Sequence, residues 1–285
     1  MLENKKVAFQ GALGAYSHVV AKRMYTKATM LPCTTFEEVF EKVKSKKADV
    51  GVIPIDNSVA GRVADIHYLL PRFKTHIIGE HFEPISHSLW GVKGSSLKTI
   101  TSVASHIHAL NQCRKFIKKR RLDSVVHADT AGSARDLSIS GDIHQSAIAS
   151  ELAGKLYGLK LLARNIEDTD HNTTRFIFIS NKAEIPRESE RTIISFIFRV
   201  RSVPAALFKA IGGFATNGVN IIKLESYFVD EKFTVAQFYV EMEGHPKEKR
   251  VRLAFEELSF FSEEVTILGV YSADPFRFTQ HATGK

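Results

Sequence analysis

The stretch Asp170-His171-Asn172-Thr173-Thr174-Arg175-Phe176 runs into the apolar residues Ile177-Phe178-Ile179. It sets a hydroxyl, a guanidinium and an aromatic ring side by side where a loop feeds a strand. Those groups suit a small anionic substrate. Arginine forks onto a carboxylate, threonine donates a hydrogen bond, and phenylalanine excludes water. Taken alone, the heptapeptide reads better as a strand entry with an ordinary exposed arginine. Segments far away in the chain shift that balance.

Gly11-Ala12-Leu13-Gly14-Ala15-Tyr16-Ser17 sits between a strand pattern and a helix pattern. Its glycines let backbone N–H groups converge at a helix N-terminus, which suits an anion. It is not the dinucleotide pattern G-x-G-x-x-G, and no acidic residue follows on schedule. Asp129-Thr130-Ala131-Gly132-Ser133 repeats the theme of strand, hydroxyl, small residues and helix start. Two such helix ends predict a ligand with more than one carboxylate or phosphate. Pro54-Ile55-Asp56-Asn57-Ser58 follows a buried strand, at the strand end where α/β domains bind ligands. On its own it is also an Asx-rich turn. Ser105-His106-Ile107-His108 precedes a helix carrying Gln112, and by itself reads as a serine N-cap with two surface histidines.

Metal chemistry finds no support in the spacing. His106 and His108 are two apart rather than four, and no H-E-x-x-H or cysteine cluster accompanies them. No G-x-S-x-G elbow and no P-loop occurs. Neither a nucleotide, a flavin nor a metal is demanded, so no cofactor is expected.

The elements that must position these residues come from a chain of 285 residues, 44% hydrophobic and 25% charged, long enough for about two globular domains. The formal charge is +8. The densest basic run, Lys115 to Arg121, ends an amphipathic helix, where cations suit the helix dipole and solvation. Interleaved aromatics and nucleic-acid motifs are missing, so no nucleic-acid partner is expected. A positive field would steer a dianionic substrate. No apolar run is long enough for a membrane span. Met1 to Lys6 leads directly into a strand, leaving no room for a signal peptide. Cys33 and Cys113 form no CxxC pair, and a reducing cytoplasm is expected.

Strand and helix patterns alternate from residue 5 to 180, which predicts an α/β domain over residues 1–182. Strands are expected at Val7 to Gln10, Asp49 to Ile55, Ser124 to Ala128, Leu159 to Ala163 and Thr174 to Ile179, with two more within Ile77 to Val92. Thr35-Phe36-Glu37-Glu38 reads as a capping box. Gly61 to Leu70 is predicted helical and stopped by Pro71. Ser105 to Arg120 is predicted to be largely one helix, another helix begins at Ala131, and Ser146 to Tyr157 is predicted helical. Asn181 to Arg191 is polar and reads as a linker. After it, Thr192 to Val200 alternates, Pro204 opens a helix that stops at Asn217-Gly218, and strands follow at Val219 to Tyr227 and Phe233 to Met242. Pro246 opens a second helix and Val265 to Val270 closes the series. This β-α-β-β-α-β order predicts a ferredoxin-like unit over residues 191–275, with the stripe around Phe255 and Phe261 as core.

These motifs, in this order, resemble the monofunctional bacterial prephenate dehydratases with a C-terminal ACT domain. The resemblance runs through GALGAYS, PIDNSVAG, SHIHALNQC, DTAGSA and NTTRF and covers nearly the whole chain. It implies a two-lobed catalytic domain resembling periplasmic binding proteins, with the active site in the cleft between the lobes. It implies that prephenate loses carbon dioxide and its ring hydroxyl to give phenylpyruvate, for phenylalanine biosynthesis, without a cofactor. Thr174 would hydrogen-bond the leaving hydroxyl. Arg175 would clamp a carboxylate or organise the cleft, and Asn57 and Gln112 would line it. Gly11, Gly14, Ser17, Asp56, Ser58, Ser105, His106, Thr130, Ala131, Asn172 and Phe176 would bind substrate or dry the site. L-Phenylalanine would act as effector near Ala205, Ala206, Leu207, Asn217, Asn220, Glu225 and Ser226, in a homodimer or homotetramer. The chain departs from the family at Asp56, where glutamate is usual, and at Ser105-His106-Ile107-His108, where Ser-His-Pro-Gln is usual. It departs again at Ala205-Ala206-Leu207 (Gly-Ala-Leu) and at Glu225-Ser226-Tyr227-Phe228 (Glu-Ser-Arg-Pro). Arogenate dehydratase and a non-catalytic amino-acid sensor are the alternatives.

Overall fold

The computed structural model describes residues 5–169, 171–200, 203–229 and 235–279. Asp170 of the opening heptapeptide, and Phe233 and Thr234 of one expected strand, lie outside the described residues. In chain order the elements are β1 (Lys6–Gln10), α1 (Tyr16–Met24), β2 (Thr29–Cys33), α2 (Phe36–Lys44), β3 (Val50–Asn57), β4 (Gly61–Arg62), α3 (Ala64–Phe73), β5 (His76–Pro84), β6 (Ser88–Gly91) and β7 (Ser102–Ser105). Then follow α4 (Ile107–Gln112), α5 (Arg114–Arg120), β8 (Asp123–Val126), α6 (Thr130–Ser140), β9 (Gln145–Ala149), α7 (Glu151–Leu156), β10 (Lys160–Ala163) and β11 (Thr173–Ser180). The last are β12 (Thr192–Val200), α8 (Ala206–Thr216), β13 (Ile221–Phe228), β14 (Ala236–Glu243), α9 (Lys249–Phe261), β15 (Ser262–Ser272) and α10 (Phe276–Thr279). The chain gathers into two units. Of the described residues, one unit holds those up to Val63 with those from Phe82 to Phe176, the other Ala64–His81 with those from Ile177 onward.

In the first unit β1 is central, with Val7, Ala8 and Phe9 fully buried, and pairs in parallel with β2 and β3. A strand buried on both faces reads as a continuous apolar run, which is how it was legible. The capping box at α2 is real but shifted. The Glu38 N–H donates to Thr35 Oγ1, while the Glu38 carboxylate reaches back to the N–H and hydroxyl of Thr34. A hydrogen bond from Lys42 helps pull the Glu38 carboxyl down to about 2. The second sheet of this unit has the order β10-β6-β9-β7-β8.

Two expectations are corrected here. Ser146 to Tyr157 is not one helix: β9 ends at Ala149 and α7 begins at Glu151. Ala147, Ile148 and Ala149 are fully buried between β6 and β7, so the strand shows no alternation, and its small residues mimic a helix. The helix expected over Ser105 to Arg120 is broken into α4 and α5 at Cys113, whose N–H turns back to the Leu110 carbonyl.

In the second unit the strand order β13-β14-β12-β15 is antiparallel throughout, and β15 meets β5 in parallel at Gly269 and Ile77. Helices α8 and α9 cover one face. Ile194, Phe196 and Phe198 of β12 meet Phe214, Val251, Ala254 and Leu258 there. The Phe255 and Phe261 stripe packs against this core as expected. Pro204 is not in the first turn of α8 but precedes its N-cap Ala205, and Pro246 likewise lies in the turn before α9.

The opposite face is polar. Ser195 and Tyr271 share a hydrogen bond of 2.7 Å, and the Tyr239 hydroxyl donates to Glu241. Arg277 forks onto both oxygens of Glu80 at 2.6 and 2.8 Å and reaches Glu241 at 3.2 Å. His67 of α3 packs edge-on against Tyr227 and Tyr239. Pro71 does not stop α3 but lies inside it. Lacking an N–H, it leaves the His67 carbonyl one turn back without its helical donor. The Tyr227 hydroxyl takes that place at 3.1 Å. Among the described residues no helix is long and apolar enough to cross a membrane.

Candidate functional site

The site grows from the C-terminal ends of β1 and β3. After β1 the chain turns through Gly11 and Gly14, at φ of 106° and 96°, values that favour glycine. The Gly14 carbonyl accepts from the Ser150 hydroxyl and the Gly14 N–H donates to His18 Nδ1. A Cβ at Gly14 would stand 2.6 Å from the Ala153 backbone. The loop is thereby pinned to the start of α7, and Tyr16 and the buried Ser17 open α1 from it.

After β3, Asn57 enters a tight hairpin. Its Oδ1 accepts the N–H groups of Val59 at 3.0 Å and Ala60 at 2.7 Å. Two backbone donors fix which end of this amide is oxygen. Asn57 Nδ2 therefore donates, to Asn172 Oδ1 and to Thr174 Oγ1, both at 2.8 Å. Asn172 in turn donates to Gln112 Oε1 at 3.0 Å. The fold thus brings Asn57, Gln112, Asn172 and Thr174 into one chain of hydrogen bonds. Two residues that the sequence did not single out extend it. His87 Nε2 lies 2.8 Å from Gln112 Oε1, and the Tyr16 hydroxyl lies 3.1 Å from His87 Nδ1. A lone histidine between two strands carries no spacing signal, so nothing in the sequence marked His87.

Thr174 is half-buried, and its oxygen is already an acceptor from Asn57. Its own hydrogen remains available to donate to a ligand. Ser58 stitches the hairpin to the β11 entry, donating to the His171 carbonyl and accepting the Thr173 N–H, each at 2.9 Å. Arg175, next along β11, projects to the other face, as strand alternation requires. It pairs with Asp56 at 3.4 Å, lies over the Phe82 ring and is only 5% exposed. Phe176 is core, 1% exposed.

The remaining expected residues occupy other places. The fully buried Ser105 donates to the Ile148 carbonyl. His106, not Ser105, caps α4 by accepting the His108 N–H, and burial holds its imidazole below the ordinary value. At α6 the N–H of Gly132 is taken by the Asp129 carboxylate at 2.7 Å. Ala131 is buried there, and the Thr130 carbonyl accepts from Ser133. No described hydrogen bond joins Ser17, Ser105, His106, Thr130 or Ala131 to the amide chain. In the second unit, Ala205 caps α8 in a left-handed conformation, with Ala206 and Leu207 beginning the helix. Asn217, at its far end, donates to Gly213 and Glu257. Asn220 donates to Glu243. Glu225, beside Ser226 on β13, lies 3.1 Å from Lys223 and 3.4 Å from His67. An eleven-residue helix is about 16 Å long, so Ala205 and Asn217 of one chain stand apart.

Residues 7–184 match the model of the prephenate dehydratase family. The chain belongs to that family. It is 44% identical over 272 residues, covering 95% of this chain and 97% of the other, to a bifunctional N-acyl-homoserine lactone acylase/prephenate dehydratase of Komagataeibacter europaeus. It is 35% identical to arogenate dehydratase/prephenate dehydratase 1 of Arabidopsis thaliana, over 95% of this chain and 73% of that one. The solved prephenate dehydratase of Arthrobacter aurescens in complex with L-Phe superposes with a TM-score of 0.87 at 27% identity, covering 97% of both chains. The chain is thus an enzyme of this family, and the hydrogen-bonded residues Asn57, Gln112, Asn172 and Thr174 all fall within the matched segment.

Proposed function

We propose that this enzyme converts prephenate to phenylpyruvate in phenylalanine biosynthesis, at the end of the amide chain that terminates in Thr174. The observation that carries the reading is the direction of that chain. Backbone N–H groups fix Asn57, Asn57 donates to Thr174, and the Thr174 hydrogen is left for the substrate. An alcohol is too weak an acid to release a full proton early. Its hydrogen bond instead stabilises charge developing on the departing hydroxyl as carbon dioxide leaves and the ring becomes aromatic. Aromatisation supplies the driving force, so the reaction calls for no cofactor and no metal. Burial of Arg175 against Asp56 favours its role as organiser of the β3–β11 segment over that of a direct clamp.

We assign residues 1–182 to a two-lobed catalytic domain resembling periplasmic binding proteins and 191–275 to an ACT domain. The antiparallel order β13-β14-β12-β15 supports the second assignment. L-Phenylalanine is the proposed effector, in a cytoplasmic homodimer or homotetramer. The separation of Ala205–Leu207, at the start of α8, from Asn217 and Asn220, beyond its end, favours a site completed by a second copy.

Phenylpyruvate formation by purified enzyme, with and without phenylalanine, tests the reading. Thr174→Val is expected to lower kcat by about 100- to 1,000-fold, with KM little changed. Equal loss of binding and turnover would refute the role of Thr174. An unaffected rate with phenylalanine present would remove the effector. Turnover of arogenate alone would move the activity to the dehydratase of the amino acid. Binding of phenylalanine without turnover of either substrate would leave a sensor. The Komagataeibacter relative, matched over 97% of its length, is also named an N-acyl-homoserine lactone acylase. Release of homoserine lactone from an N-acyl-homoserine lactone is the assay for that second activity.

A further inference from the structure

Among the described residues, Gln112 Oε1 is the point where the amide chain meets an imidazole. It accepts from Asn172 Nδ2 at 3.0 Å and lies 2.8 Å from His87 Nε2. The oxygen end of Gln112 is not a free choice. The N–H groups of Val59 and Ala60 orient Asn57, Asn57 orients Asn172, and Asn172 presents an NH2 to Gln112. An acceptor facing His87 Nε2 requires that nitrogen to carry the hydrogen. His87 Nδ1 then becomes an acceptor and faces the Tyr16 hydroxyl at 3.1 Å. The single hydrogen of that hydroxyl is directed at the Ser86 carbonyl, 2.5 Å away, so Nδ1 receives only a shared part of it. Burial pushes the Tyr16 hydroxyl well up and the His87 imidazole down, so Tyr16 stays a donor and His87 stays neutral. The His87 backbone is held too, its N–H by Glu167 at 2.9 Å and its carbonyl by the Ile166 N–H. The ring is 2% exposed and touches the reacting end of the chain only through three amides.

We propose that His87 is a positioning residue for the dehydration. As the Nε2–H tautomer it locks Gln112 as a double acceptor. Gln112 thereby closes the far end of the chain that the backbone orients at Asn57 and that leaves the Thr174 hydrogen free. The proposal rests on the function assigned to Thr174 above. Without a donor at this point the Gln112 oxygen keeps only the hydrogen from Asn172 and loses one of its two bonds. Gln112 and Asn172 are then held less firmly, and Asn57 and Thr174 lose part of their support.

Two measurements test it. The ¹⁵N shifts of the His87 ring in the intact wild-type enzyme are expected to show a protonated Nε2 and an unprotonated Nδ1. The opposite tautomer overturns the proposal, whatever the substrate proves to be. With prephenate as substrate, His87→Leu is expected to lower kcat by about 10- to 100-fold, with KM within about threefold. His87→Gln, whose Nε2 can stand where the imidazole Nε2 stands, is expected to recover kcat to within about threefold of wild type. A Gln variant as impaired as the Leu variant, or a Leu variant with full kcat, overturns the positioning role. If the Leu variant fails to fold, the tautomer and the Gln variant decide. Wild-type enzyme inert toward prephenate but carrying the expected tautomer would overturn the assigned reaction and leave the hydrogen-bond direction standing.

Discussion

The amide chain ending at Thr174 and the ionic cluster at Glu80 both bury polar groups, and they do so by opposite means. Asn57, Asn172 and Gln112 are neutral, and each has an oxygen end and a nitrogen end. Burying them costs little once they are paired, but an amide can be paired the wrong way round. Glu80 and Glu241 are 5% and 1% exposed, and their carboxylates have no wrong way round. Arg277 meets both oxygens of Glu80 and one of Glu241, which fixes a location and carries no direction. The difference teaches what each network is good for. The neutral one can aim a hydrogen, whereas the charged one can anchor the C-terminal turn around α10.

The largest expected effect breaks the anchor. Arg277→Met leaves two buried carboxylates without their guanidinium, and should destabilise the fold by about 3–5 kcal/mol. A urea midpoint measures this, and kcat per folded molecule should be unchanged. A large loss of kcat at full stability would erase the distinction between anchoring and aiming. Next is Asn57→Asp, nearly the same shape but an acceptor only. The Thr174 hydrogen would then turn toward residue 57, and kcat should fall by about 10- to 100-fold, with thermal stability changed much less than in Arg277→Met. Unaltered turnover in this variant would show that direction does not matter. The smallest effect is the response to acid. Burial holds His18, His87 and His106 below their ordinary values. Below about pH 6.5 the unfolded chain binds protons that these buried rings refuse, so stability falls as pH falls. Melting temperature is expected to drop from about pH 7 to about pH 5, and less steeply in His87→Gln. A profile that rises toward acid would contradict the neutral imidazoles.

Much of this was legible in the sequence. The aromatic and aliphatic residues alternating in β12 and the apolar run of β1 each announced a strand, and both strands are buried on both faces. Asn57, Gln112 and Thr174 were marked by resemblance, and the fold brings them together. What stayed hidden has physical reasons. β9 is short, small-residued and buried on both faces, so it carries no period. β2 contains Pro32, and at a sheet edge a proline is tolerated that would contradict a central strand. The helix end at Thr130 looked ready for an anion, but its own Asp129 supplies the carboxylate. Tyr16 sat inside a motif whose glycines drew the attention, and His87 owes its place to partners 25 and 71 residues away.

Pro71 also has a consequence for the order of events in folding. Its missing N–H turns what would be a local bond within α3 into a tie between the His67 carbonyl and Tyr227, 160 residues apart. Helix α3 can wind by itself in its first turns, but that carbonyl exchanges water for the Tyr227 hydroxyl only when β13 is in place. Contacts of such sequence separation are slow to form. Seating of the Tyr227 hydroxyl should therefore lag helix formation, and tyrosine fluorescence at this position would time the arrival of β13 on α3.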